Sequence, residues 1–132
     1  MSIESGLATH LLNTSSVTAL VSARIYPSRI PDPTTNAPTT FPCLVYNLIS
    51  EPVFTSFDGA QLFAARVQID AWATSYKSAH DTAAAVHSAL QGHRGAMDVY
   101  QVGGIFRQRK NDMSDPDLKL YRISMDYMIN YS

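Results

Sequence analysis

Across residues 66–95, RVQIDAWATSYKSAHDTAAAVHSALQGHRG, the spacing of the apolar side chains changes once, and that change constrains the fold more than anything else in the chain. Up to Thr74 they alternate, as in a strand; from Ser75 they recur every three or four residues, as on one face of a helix. A strand that runs straight into an amphipathic helix has to let that helix fold back onto the sheet. The expected strand, about residues 62–74, sets Phe63, Ala65, Val67, Ile69 and Ala71 on one face and Arg66, Gln68, Asp70 and Trp72 on the other. The expected helix begins near Ser75, buries Tyr76, Ala79, Ala83, Val86 and Leu90, and stops at Gly92 or Gly95.

The rest of the chain extends this pattern. Ile3, Leu7 and Leu11 make one stripe of an N-terminal helix with Ser2 as its cap, and Ser15 or Ser16 caps a shorter helix carrying Val17, Leu20 and Val21. RIYP is a short extended segment. Residues 27–42, PSRIPDPTTNAPTTFP, hold five prolines, which rules out both sheet interior and helix and leaves a long loop. CLVYNLIS, residues 43–50, is apolar at nearly every position, as in a strand covered on both faces. The connection EPVFTSFDGAQ turns at Asp58 and Gly59. MDVYQVGGIFRQRK and LKLYRISMDYMINY read as an antiparallel pair, with Tyr121, Ile123, Met125, Tyr127 and Ile129 inward and Arg122, Ser124, Asp126 and Asn130 outward. The expected architecture is α+β, one domain over residues 1–132: a mainly antiparallel β-sheet with a packed helix, in the order α-α-β-β-β-α-β-β.

Chemistry is hard to find in these residues. His80 and His87 share a helix face but stand seven residues apart, and Ala84 lies where a metal pair would need a second ligand. Cys43 sits in the most apolar strand, as a core residue does. No GxSxG, GxxxxGK[ST] or GxGxxG occurs, and Gly103-Gly104 precedes a strand, where a bulge is the expected role. Asp112, Asp115 and Asp117 lack the glycine and glutamate of a calcium loop and read as a solvated hairpin tip. No catalytic, cofactor or metal site is expected. No apolar run approaches the ~20 residues a membrane helix needs. Ten basic residues against 11 acidic ones argue against free-standing binding to DNA, whose affinity rests on released counterions.

What remains is surface. Arg66, Gln68, Asp70 and Trp72, beside Arg122, Ser124 and Asp126, combine opposite charges with a large aromatic on the outer sheet face, the composition either of a subunit or partner interface or of a half-solvated sheet with cross-strand ion pairs. RQRK, with Arg107, Arg109 and Lys110, is the one basic cluster, either a protected strand end or a contact for an acidic partner.

Taken in order, these segments resemble the tail completion or tail terminator proteins of long-tailed bacteriophages. The residues that carry the resemblance are SARIYP after the helical pair, the proline-led strand FPCLVYNLIS, ARVQIDAWATSYKSAHDTAAAVHSAL, and the closing DLKLYRISMDYMINY. The long loop of residues 27–42 departs from the family's pattern. The resemblance implies a non-enzymatic virion protein that assembles as a ring, typically hexameric. Such a ring sits on the last ring of the tail tube, stops its growth and joins it to the head connector. It implies as partners other copies of the chain, the tube protein and the head-completion protein, with no membrane and at most passing contact with DNA in the lumen. Its place would be the head-proximal end of the tail, after assembly in the host cytoplasm. A ring needs one patch to meet a different one on its neighbour. Arg66, Asp70, Trp72 and Arg122 are assigned to the first, Val53, Phe54 and Phe57 to the second, and Arg107, Arg109 and Lys110 to the lumen or an adjoining ring. Another head–tail connector or tube component, or a small nucleic-acid-binding module, are the alternatives.

Overall fold

The computed structural model describes residues 2–28, 30, 40–55, 59, 61–97, 100–113 and 120–132. Ser2 opens helix α1 (Ile3–Leu12): its hydroxyl accepts from the Ser5 amide at 3.3 Å, and the Ser5 hydroxyl accepts from the Ser2 amide at 3.1 Å. Helix α2 (Ser15–Val21) is preceded by Thr14 as N-cap, displacing the expected Ser15 or Ser16, and no side chain caps it. The strands are β1 (Ile25–Pro27), β2 (Cys43–Ser50), β3 (Val53–Thr55) and β4 (Gln61–Ala73). Helix α3 (Tyr76–Leu90) follows, then β5 (Gly95–Met97), β6 (Tyr100–Asp112) and β7 (Tyr121–Tyr131).

The strands form one seven-stranded sheet in the order β1-β2-β4-β7-β6-β5, with β3 paired to the start of β4. Only β1 and β2 run parallel; every other pair is antiparallel. The expected α+β class and mainly antiparallel sheet are what the chain adopts. Ala65, Val67, Ile69, Ala71 and Ala73 of β4, with Ile123, Met125, Tyr127 and Ile129 of β7, form a buried layer. All three helices pack on that layer through Ile3, Leu7, Leu11, Val17, Val21, Ala79, Ala83, Val86 and Leu90. The small side chains of α3 allow helix and sheet to approach closely, and Ser75 fixes where the helix begins by accepting from the Ser78 amide at 3.1 Å.

Three expectations change. Strands β3 and β5, three residues each, are too short to show a period and were not anticipated; Met97 closes β5 and does not open the next strand. Strand β2 is buried only over its first half: Cys43, Leu44 and Val45 are enclosed, whereas Leu48, Ile49 and Ser50 are exposed. Tyr76 is exposed at the first turn of α3, and Thr82 takes the buried place, its hydroxyl donating to the Ser78 carbonyl. Phe57, Asp58, most of the loop 27–42, and Asp115 and Asp117 lie outside the described residues.

Candidate assembly surface

The face of the sheet turned away from the helices carries a polar lattice. In the β4–β7 register Trp72 lies opposite Arg122, Asp70 opposite Ser124, Gln68 opposite Asp126 and Arg66 opposite Met128. The ion pairs form on the diagonals: Arg122 to Asp70 at 2.9 Å and Arg66 to Asp126 at 2.6 Å. The Arg122 guanidinium also lies over the Trp72 ring, 5.2 Å from its centroid. Gln68 donates to the second oxygen of Asp70 at 3.1 Å. The sequence thus places these side chains together on the outer face, but does not show their state. Asp70, Ser124 and Asp126 are buried, so this part of the lattice is structural rather than free surface.

One corner of this face is roofed. Ser28 and Ile30, just past β1, and Asp70, Trp72 and Arg122 bound a cleft of about 340 Å³. A smaller one of about 210 Å³ lies across Gln68, between Arg109 and Asp126. Both are open clefts lined by polar and apolar side chains, the form of a contact surface more than of a reaction chamber. Among the described residues no group of three or more His, Cys, Asp or Glu side chains is placed to hold a metal ion. Cys43 is fully enclosed, and burial pushes its thiol up to about 11, which leaves it unreactive.

At the far end the sheet turns apolar on both of its faces: Phe54 and Leu62 lie on the outer one, Val53 and Leu48 on the helix side. Val53 pairs with Phe63 and Phe54 with Leu62. Phe54, Leu62, Val53, Ile49 and Leu48 are 61%, 60%, 47%, 49% and 37% exposed, so over half of the large apolar side chains left in solvent among the described residues gather here. Phe106 adds to it from β6: its ring lies over Gly104, where a Cβ would come within 2.6 Å. Leu62 was legible, since it shares the parity of Arg66. Leu48 and Ile49 were not, because nothing in CLVYNLIS marks where its cover stops.

The basic cluster does not act as one patch. A bulge between Arg107 and Arg109 resets the parity of β6. Arg109 then lies opposite Asp126 on the outer face, while Arg107 lies opposite Tyr127 and Lys110 opposite Met125 on the helix side. His87 of α3 shares that side, its Nδ1 3.2 Å from the Tyr127 hydroxyl. Burial, then the charges of Arg107 and Lys110, lower the His87 pKa from its ordinary value. Burial pushes the Tyr127 phenol up to about 12.

The model of a family described as "Tail completion protein gp17" matches residues 5–132. A chain in the solved structure entitled "Virion of native gene transfer agent (GTA) particle" has the same fold, with a TM-score of 0.74 at 19% identity over 98% of this chain and 94% of that one. No curated protein sequence matches it.

Proposed function

We propose, from the premise that this chain belongs to the tail completion protein gp17 family and is a structural protein of a phage tail, that it closes the end of the tail tube as a ring of copies. In this reading residues 1–132 act as one domain, stop the tube's polymerisation and present the head-proximal surface to which the connector joins. The ring is hexameric on the resemblance to the family. The work is done by contact, with no bond made or broken.

The observation that carries this reading is the apolar end of the sheet. Val53, Phe54 and Leu62 stand in solvent beside a face that otherwise satisfies its own charges. An isolated monomer gains nothing from that placement, whereas a docking surface does. It also refines the assignment of patches. The Asp70–Arg122 pair holds the fold together, and the ring or tube contact is made by Arg66, Val53, Phe54 and the exposed edge of Trp72. Phe57 belongs to the same stretch of sequence.

Growth of the tail tube in the presence of substoichiometric protein tests it. Wild-type protein is expected to shorten the tubes. Phe54→Ser is expected to lose that effect while its thermal midpoint stays close to wild type, because an exposed side chain contributes within about 0.5 kcal/mol to stability. Tubes of unchanged length with the wild-type protein would refute the reading.

A further inference from the structure

The bulge that carries Arg109 to the outer face brings Arg107 and Lys110 together on the helix side. Arg107 lies opposite Tyr127 and Lys110 opposite Met125, successive inward positions of β7. Strand β5 accompanies β6 only from Tyr100 to Val102, so both side chains stand in the angle between α3 and the second half of β6. The end of α3 holds the strand in place there: Gln91 Oε1 accepts from the Arg107 amide at 2.9 Å, and the Gly92 amide donates to the Ile105 carbonyl at 2.8 Å.

Helix α3 adds a third group from the other wall. His87 places Nδ1 3.2 Å from the Tyr127 hydroxyl, and that hydroxyl donates to the Met125 sulfur at 3.5 Å. With the hydroxyl proton on the sulfur, Nδ1 is the donor to the Tyr127 oxygen, and Nε2 is left on the far side of the ring. Arg107 reaches the same hydroxyl: burial raises the Tyr127 pKa, and the charge and hydrogen bond of Arg107 oppose the rise.

The field at this point is positive. One turn away on α3 the neighbours of His87 are Ala83, Ala84, Leu90 and Gln91, none of them charged. Strand β6 offers Arg107, Lys110 and, two residues further on the same side, Asp112, which is itself engaged. Asp112 does not reverse the sign at His87, whose pKa is lowered first by burial and then by the Arg107 and Lys110 charges. Neither cation is in an ion pair among the described residues.

We propose that His87, Arg107 and Lys110 form a binding site for one carboxylate, supplied by an acidic side chain of a neighbouring protein. The site stands on the geometry of this chain; only the neighbour's place in the tail rests on the capping reading. Nε2 of His87, the Arg107 guanidinium and the Lys110 ammonium offer donors from two walls, and a carboxylate accepts several such donors at once. A nucleic-acid backbone fits worse. Its phosphates come in a row, which the Asp112 carboxylate beside Lys110 repels, and Arg109 lies on the opposite face where it cannot contribute. A bound carboxylate favours the imidazolium, so binding raises the His87 pKa.

Nuclear magnetic resonance of the purified chain tests this with no tube present. The histidine ring signals are followed against pH with and without a tetraglutamate peptide at matched ionic strength, and His87→Gln identifies the His87 signal. At about 5 mM peptide the His87 midpoint is expected to rise by about 0.5 pH unit or more, with that of His10 unmoved. Lys110→Gln, an exposed change whose folding a thermal melt confirms, is expected to remove most of that rise. A His87 midpoint that stays in place, or that moves equally in Lys110→Gln, would overturn the site and leave the capping reading intact. An octathymidylate that produces the same rise at about a tenth of the peptide concentration would also overturn it, by making phosphate the preferred ligand.

Discussion

The two ion pairs of the outer face look alike in sequence and differ in consequence. The Asp70 side chain is 5% exposed and that of Arg122 25%, whereas Arg66 is 38% exposed. Removing Arg122 strands a buried carboxylate with only Gln68 beside it, and breaking a buried pair in this way costs about 3 kcal/mol. Removing Arg66 takes away a more exposed partner from a carboxylate that is itself 11% exposed, and the expected loss is smaller, about 2 kcal/mol. Urea unfolding of Arg122→Ala and Arg66→Ala is expected to show that order. Equal losses would mean that Asp70 finds another donor.

The histidines set a pH dependence whose direction follows from their surroundings. Burial comes first for both His87 and His93; the Arg107 and Lys110 charges add to it at His87, and His10, its ring 4.4 Å away, adds to it at His93. Both therefore hold protons less tightly folded than unfolded. Their contribution to stability is complete above the ordinary histidine value near 6.5 and is lost as pH falls from there through the lower folded values. Thermal midpoints should decline from pH 7.5 to pH 5, and a chain with His87→Gln and His93→Gln should decline less over the same range.

At the scale of elements, the junction between β4 and α3 is fixed by the Ser75 cap. Ser75 ends one period and starts the other, and its side chain satisfies an amide that would otherwise be left free at the helix start. Ser75→Ala is expected to cost about 1 kcal/mol, measured by thermal unfolding, with the β-sheet circular dichroism unchanged. This junction, and the inward faces of β4 and β7, were legible because alternation and helical spacing are local properties of the sequence. Pairing is not local. Whether Asp70 meets Arg122, or Asp126 meets Arg66, depends on a strand register set some 50 to 60 residues away along the chain. The parity of RQRK depends on a bulge that only the match of β6 to β7 reveals. The effect of the Glu4 charge on Glu51 depends on how α1 lies on β2. Composition pointed to the charged face and the basic strand end, and tertiary contacts decided which side chains there are paired.

At the scale of the molecule, the structure pairs charges across the outer face of the sheet and leaves apolar side chains in solvent at one end of it. The helices protect one side of the sheet, the cross-strand ion pairs satisfy much of the other, and the Phe54–Leu62 corner is left over. Surfaces left over in this way are the ones that the proposed capping of a tube by copies of the chain would cover.

The central claim is that this chain ends a tail tube by assembling on it. Averaged electron-microscope images of tubes mixed with the purified protein test it most directly. A ring of density at one end of each tube, absent from the sides and from tubes alone, is the predicted result. Bare ends, or density scattered along the tube walls, would contradict it.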